Sequence, residues 1–348
     1  MLPADVEVSA GARDLSSGAL LDLLGGLRHV RDGELVALVG SAPHLREHLA
    51  RWSQLTGHRL VEVLELPDGN VRYVVRKGPL PRGRDEEGEV EEGPGERLWI
   101  YSNFQCNLAC DYCCVRSSPR VAPRALPTRT VRDLARQAEE LRFHRILVTG
   151  GEPFLSPALG ETLRACLDHL PTTVLTNGTL LSGPRGRLLS ELPRDRLVLQ
   201  VSLDSPTPER HDQHRGAGSW ARAWDGIERA RRMGFRVRVA ATLSEEEDRE
   251  RMEAWLESRG FSPRDRVVRP LARRGLANLG LALARADVVP EVTVTAQGVY
   301  WHPVGADDED FLVCRPLGNL SEAVERIQQM WNEERGGSER LSEVFHCA

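Results

Sequence analysis

Six short apolar runs recur along the chain: Leu98–Ser102, Ile146–Thr149, Thr173–Thr176, Leu197–Leu203, Val237–Leu243 and Arg266–Arg269. Amphipathic helical stretches lie between them, among them Thr130–Arg142, Ser156–Leu170, Trp220–Met233 and Glu246–Arg259. Strands that alternate with helices imply a parallel sheet, because parallel neighbours must be joined by a crossover. Right-handed crossovers curl such a sheet into a partial barrel, with functional loops at the C-terminal ends of its strands. The expected fold class is therefore α/β, a partial (β/α)6 barrel over residues 97–287.

The 348 residues exceed what one ordinary small domain needs, so a smaller companion is expected over residues 1–78. There Glu7–Leu15, Leu35–Gly40, Arg59–Glu65 and Asn70–Arg76 read as strands, with helices at Ala19–His29 and Pro43–Gln54. The last two strands form a hairpin around Pro67-Asp68-Gly69, giving a two-layer α/β sandwich. Residues 79–96 are dense in Gly, Pro and acids, lack an apolar period and read as a linker. Residues 288–348 form a C-terminal extension with a hairpin pattern, VTVTAQGVYWHPVG, and a final helix near Leu320–Asn332.

The balance of 46 basic and 51 acidic residues, net −5, gives no reason to expect a nucleic-acid partner. Lys77 is the sole lysine, so the arginines reflect compositional bias. No run of about eighteen apolar residues occurs, and Met1–Ala10 carries acids where a signal peptide carries bases; no membrane association and a cytoplasmic location are expected. Seven cysteines are too few for a secreted disulfide scaffold, and four of them fall between positions 106 and 114. Such bunching points to metal ligation in a reducing compartment.

Directly after the first barrel strand comes Cys106-Asn-Leu-Ala-Cys110-Asp-Tyr-Cys113, a loop able to turn three thiolates toward one point. An iron–sulfur cluster held by three thiolates leaves its fourth iron open to an exogenous ligand. A zinc knot, the rival reading, wants four closed ligands and usually two paired motifs. Cys114 abuts Cys113 and reads as a small buried apolar residue, as does Cys166 within its helix.

The three-cysteine spacing, with Tyr112 before the last cysteine, resembles the signature of the radical S-adenosylmethionine (SAM) superfamily. That resemblance implies a [4Fe-4S] cluster on Cys106, Cys110 and Cys113 and SAM chelated to the open iron. An electron delivered to the cluster then breaks SAM to a 5′-deoxyadenosyl radical. Further motifs follow in register from Leu98 to Gly275. Gly150-Gly151-Glu152-Pro153 is similar to the family's GGEP element, which contacts the SAM amino group; paired glycines permit a close backbone approach, and Glu152 offers an acceptor. Taken alone, it would be an ordinary strand-to-helix turn. Asn177, in Thr176-Asn177-Gly178, resembles a turn near the cofactor, or is simply a turn.

Ser202 and Asp204 alternate onto one face, suited to a ribose, with strand-end capping as the rival for Asp204. Arg215 matches a position that often pairs with the SAM carboxylate, and a surface ion pair competes with that role. His211 and His214 have the spacing of a metal-binding pair, with loop packing as the favoured reading. The segment Val267–Leu271 with Arg273-Arg274-Gly275 resembles the strand bordering the SAM adenine, without assigned chemistry.

The C-terminal extension is similar in outline to the SPASM extension of peptide-modifying relatives. Here His302-Pro303 stands where a cysteine is expected, and only Cys314 and Cys347 follow, so one cluster per chain is expected. An auxiliary site using His346 and Cys347 is a remote alternative. Residues Glu7 to Gly78 resemble the TusA-like sulfur carriers, but Ser16 or Ser17 occupies the place of the carrier cysteine. That favours docking of a substrate or small protein over sulfur relay, with a plain stabilising appendage as the rival. The implied activity is radical SAM chemistry on a peptide or small precursor. Cofactor biosynthesis or sulfur metabolism is the enzymatic alternative, and a metal-binding regulator or scaffold the non-enzymatic one. The absence of a flavin motif calls for an external flavodoxin- or ferredoxin-like electron donor.

Overall fold

The computed structural model of the chain describes all residues except 1, 14–18, 28, 31–32, 56–57, 78–95, 244–245, 316–317 and 336–348. Ser16, Ser17, His346, Cys347 and nearly all of the expected linker therefore lie outside the described residues. The chain divides into two compact units, residues 1–88 and 89–348.

In the first unit β1 (Val6–Gly11) and β2 (Leu35–Gly40) pair in parallel, because α1 (Ala19–Leu27) carries the chain back between them. Helix α2 (Leu45–Leu55) leads to the hairpin of β3 (Arg59–Glu65) and β4 (Val71–Arg76). Gly69 takes a φ of +85° in its turn, the left-handed region that glycine enters without a Cβ clash. The sheet order is β1-β2-β4-β3. Leu23, Leu38, Leu45, Leu49 and Tyr73 are buried in its apolar core. Arg72 is also buried, and its charge is met by Glu7 at 2.9 Å and Glu62 at 3.4 Å.

The second unit is built on β5 (Arg97–Tyr101), α3 (Thr128–Glu140), β6 (Arg145–Thr149), α4 (Leu159–Leu167), β7 (Thr172–Thr176) and β8 (Leu197–Ser202). It continues through α5 (Pro208–Arg215), α6 (Ser219–Arg232), β9 (Arg236–Leu243), α7 (Glu246–Ser258) and β10 (Arg266–Pro270). The six strands pair in parallel in chain order, so their C-terminal ends and following loops gather on one side. On β8 the residues Leu197, Leu199 and Val201 are fully buried, while Gln200 and Ser202 alternate onto the opposite face.

Two crossovers differ from the expected strand–helix alternation. Between β7 and β8 the chain makes a 3-10 stretch, Pro184–Glu191, in place of an α-helix. Gly183-Pro184 and Gly186 interrupt the helical period there, and a Cβ on Gly186 would fall 1.7 Å from the Leu181 carbonyl oxygen. Among the described residues no α-helix lies between β10 and the next strand, and β10 forms one edge of the sheet.

The other side of the sheet is extended by the C-terminal residues. Strands β11 (Thr293–Thr295), β12 (Gly298–Tyr300) and β13 (Leu312–Cys314) continue it beyond β5, with β11 parallel to β5 and the rest antiparallel. The described sheet thus holds nine strands and stays open between β10 and β13. Helix α8 (Leu320–Arg335) buries Leu320, Ile327 and Trp331. Among the described residues, no helix is long and apolar enough to cross a membrane.

Candidate active site

Just past β5, Asn103–Gln105 runs beside Gly150–Glu152 at the end of β6. Gly151 N–H donates to Asn103 O (3.0 Å) and Glu152 N–H to Gln105 O (2.8 Å). The approach leaves no room for side chains, since a Cβ on Gly150 would lie 2.4 Å from Asn103 O and one on Gly151 would lie 2.2 Å from Gln105 O. The partner of these glycines is therefore the backbone of the cysteine loop itself.

That loop places Cys106 in the interior, with Cys110 and Cys113 part-exposed. Cys106 Sγ faces the Leu108 N–H (3.4 Å) and Asn177 Nδ2 (3.7 Å), and Cys113 Sγ faces the Ser117 N–H (3.3 Å). Burial pushes the Cys106 thiol up to about 12, an effect to which the charges of Glu152, Cys110 and Cys113 add. Burial likewise pushes Cys110 up to about 11, partly opposed by Arg215 and reinforced by Cys113 and Asp204. Thiolates gathered this way need cationic compensation, and N–H donors aimed at the sulfurs suit a thiolate-held cluster.

Among the described residues, no three His, Cys, Asp or Glu side chains form a single-ion site. Cys114 packs against the apolar group of Tyr101, Phe104, Val115 and Ala306.

Glu152 is wholly buried, with 0% of its surface exposed. Its carboxylate accepts from Phe154 N (3.0 Å), Thr176 Oγ1 (2.8 Å) and Asn177 N (2.8 Å), tying the end of β6 to the end of β7. Burial raises its pKa to about 7 against the lowering effect of those donors. Pro153, also buried, opens the short 3-10 turn that Glu152 caps. Asn177 reaches back to the cysteine loop, donating to Asn107 Oδ1 (3.0 Å), while Asn107 donates to Thr179 Oγ1 (2.8 Å). Asn107 and Thr179 were not singled out in the sequence, although both adjoin residues that were.

Tyr112, Asp204 and Arg215 come together beside Cys110. Arg215 grips Asp204 with two N–H groups, Nε at 2.5 Å and an Nη at 3.1 Å, and the Tyr112 hydroxyl donates to the same carboxylate. Thr242 N–H adds a further bond at 3.0 Å. Burial would raise the Asp204 pKa, but Arg215 outweighs it and holds the carboxyl down to about 2. The Arg215 guanidinium also lies 5.4 Å from the centre of the Tyr112 ring. Bidentate pairing explains how two buried charges coexist here, and it commits both groups to each other.

His211 accepts from Asp204 N–H at 3.2 Å. Burial and Arg215 lower its pKa to about 4. His214 meets Asp111 at 2.9 Å and so ties the end of α5 to the cysteine loop. Ser202 is half-buried at the end of β8, two residues before Asp204. The loop after β10 also reaches the cysteines: Leu276 N–H donates to Cys113 O at 2.9 Å, and a Cβ on Gly275 would fall 2.3 Å from that oxygen.

In the C-terminal extension the buried His302 caps a 3-10 turn through Val304 N–H at 3.2 Å. Glu291 accepts from Arg97 (2.8 Å) and from the Trp99 indole N–H. Cys314 lies on β13 and Cys166 is wholly buried in α4, where burial pushes its thiol up to about 12.

Residues 100–259 match the family model described as the radical SAM superfamily. This segment is a radical SAM domain. Its family's cofactors are a [4Fe-4S] cluster and SAM, and the sulfur-directed N–H donors around Cys106 and Cys113 suit such a cluster. The domain is 35% identical over 146 residues to the antilisterial bacteriocin subtilosin biosynthesis protein AlbA of Bacillus subtilis (strain 168), covering 40% of this chain and 32% of AlbA. It is 34% identical over 154 residues to the GTP 3′,8-cyclase of Picosynechococcus sp. (strain ATCC 27264 / PCC 7002 / PR-6), covering 41% of this chain and 45% of that enzyme. Among solved structures it is similar to Streptococcus suis SuiB bound to S-adenosylmethionine, with a TM-score of 0.47 and 20% identity over 56% of this chain and 45% of SuiB. The aligned region thus spans 32–45% of these relatives' length.

Proposed function

We propose that the chain uses a [4Fe-4S] cluster held by Cys106, Cys110 and Cys113 to cleave SAM reductively and so modify a peptide or small precursor. The observation carrying this reading is the three-cysteine loop, held by backbone hydrogen bonds from Gly151 and Glu152 at the end of β6 and by Asn177 at the end of β7 facing Cys106 Sγ. When bound, the cluster and SAM supply reductive cleavage and hydrogen-atom abstraction.

The chain's own residues position and insulate that chemistry. The Gly150–Glu152 segment clamps the cysteine loop, and Glu152 locks Asn177 beside Cys106. The Asp204–Arg215 pair fixes Tyr112 and sets a cation near Cys110. Gly150, Gly151, Glu152, Pro153, Asn177, Ser202, Asp204 and Arg215 are proposed to border SAM, with Ser202 facing its ribose. Since Arg215 and Glu152 are engaged within the protein, they order the SAM pocket chiefly by positioning their neighbours.

Likeness to AlbA and the SPASM-like outline of the extension favour a peptide substrate. The first unit is proposed to be TusA-like and to dock the substrate or a small protein, supported by its two helices on a four-stranded sheet. A cytoplasmic setting and an external flavodoxin- or ferredoxin-like donor complete the reading.

The test is anaerobic reconstitution with iron and sulfide, reduction with dithionite, and mass spectrometry of 5′-deoxyadenosine after SAM addition. Product from the parent protein and none from Cys110→Ala supports the reading. A protein loaded with one cluster that releases no 5′-deoxyadenosine under two reductants overturns it.

A further inference from the structure

Register sorts the side chains of the six parallel strands onto two faces, because partners on neighbouring strands point to the same side and successive residues alternate. Ile100, Val148, Val174, Leu199 and Val237 are successive partners across the sheet, and all are buried on its apolar face. The opposite face holds Ser202 and leads to Asn177, whose side chain meets Cys106. Arg97, Arg145, Arg236, Arg238 and Arg269 all stand on that opposite face. None of the six strands contains an acidic residue.

Arg97, Arg145 and Arg236 open their strands, at the end remote from the cysteines, where Glu291 meets Arg97 at 2.8 Å and Asp265 meets Arg236 at 2.7 Å. Arg238 and Arg269 lie farther along. Arg238 is the partner of the buried Gln200 and stands about 7 Å before Ala240, which pairs with Ser202. Arg269 donates from Nε to Thr242 Oγ1 at 3.2 Å, and the Thr242 N–H in turn donates to Asp204. Both arginines are part-exposed. The carboxylates at this end are engaged: Asp204 pairs with Arg215, and Glu152 accepts from Phe154, Thr176 and Asn177.

A recess lined by charge of one sign between low-dielectric walls concentrates the opposite charge. A neutral or cationic residue entering it strips water from the guanidiniums and gives nothing back, a cost that a carboxylate offsets by accepting their hydrogen bonds. A guanidinium presents five N–H groups, enough to keep a protein neighbour and hold a ligand carboxylate as well. We propose that the part of the substrate entering the barrel carries a carboxylate, on an acidic side chain or at the free end of a peptide, and that Arg238 and Arg269 receive it. The proposal rests on the function proposed above and adds the substrate chemistry that this chain selects.

The test uses the full chain, reconstituted with its cluster and saturated with SAM, and reads peptide binding by calorimetry. The probes are acetylated Ala-Glu-Ala amide, acetylated Ala-Gln-Ala amide, and acetylated Ala-Ala-Ala with a free carboxyl end. One of the two acidic probes should bind about tenfold more tightly than the glutamine probe, and which one does so names the source of the carboxylate. Arg238→Gln and Arg269→Gln should each remove most of that preference. Arg236→Gln, whose parent side chain is held by Asp265 at the strand start, should keep it. Arg269 is part-exposed on the edge strand, so its variant decides the matter if Arg238→Gln does not fold. SAM affinity, titrated separately, should be parental in each variant. Equal affinity for all three probes, no binding of any, or an acidic preference that survives both substitutions together overturns the proposal. Loss of SAM affinity in both single variants overturns it too, since the arginines would then serve the carboxylate of SAM itself. Acidic probes held through these arginines by a protein that releases no 5′-deoxyadenosine overturn the proposed function and leave the carboxylate site standing.

Discussion

Gly151→Ala probes the clamp between the end of β6 and the cysteine loop. The new Cβ would fall 2.2 Å from Gln105 O, 2.5 Å from Gln105 C and 2.7 Å from Phe104 O. These are backbone atoms, so relief requires moving the loop that carries Cys106. Overpacking of this kind costs about 1–3 kcal/mol. The shift also lengthens the bonds from Gly151 N–H to Asn103 O and Glu152 N–H to Gln105 O, each contributing about 0.5–1.5 kcal/mol. The expected loss is about 3 kcal/mol, equivalent to a melting temperature lower by roughly 6–12 °C in a unit of this size. Circular-dichroism melts of the unloaded protein read that shift, and iron content after reconstitution should fall with it. Gly183→Ala is the control, because its Cβ would meet nothing nearer than Leu180 O at 3.9 Å. A Gly151→Ala protein that melts within about 1 °C of the parent and loads a full complement of iron would refute the close approach.

Asp204→Ala leaves the buried Arg215 charge without its partner and should lower stability by about 3–5 kcal/mol, read from urea midpoints. The Asp204→Ala, Arg215→Ala double variant should lose less than the two single losses added; strict additivity would mean the pair is not coupled. The pH dependence of stability should carry a Glu152 component. Its native pKa of about 7 exceeds the unfolded 4.5, so within that window the native state binds a proton that the unfolded chain lacks. Stability from this group is therefore fully present below 4.5 and is lost as pH rises through about 7, by up to about 3 kcal/mol. His211 acts oppositely between about 4 and 6.5, so the informative quantity is the parent minus Glu152→Gln. That difference should shift against the parent from pH 5 to pH 8; parallel curves for the two proteins would exclude the effect.

The six barrel strands were legible because each is a short apolar run between polar segments, and such runs set their own boundaries within a residue or two. The missing crossover helix between β7 and β8 was legible only in Gly183, Pro184 and Gly186, which interrupt any helical period there. Pairing of β11 with β5 was invisible because a three-residue strand carries almost no periodicity, and its partner lies at the far end of the barrel sequence. At the site, the cysteines declared themselves by spacing. The engagements of Glu152 and Arg215 did not, since the atoms they bind belong to Thr176, Asn177 and Asp204 and are brought near only by the sheet register. Residue type suggested that these charges meet ligands; burial gave them protein partners.

The pairing of β5 with β11 also has a meaning in time. Arg97 and Glu291, bonded across that edge, are 194 residues apart. At about 5–20 residues per second, a ribosome needs on the order of 10–40 s to deliver the second after the first. Throughout that interval the strand leading into the cysteine loop has one unpaired edge, and the thiols stand at the rim of an incomplete sheet. The strand that leads into the cysteine loop therefore gains its second neighbour only after the whole barrel sequence has been made.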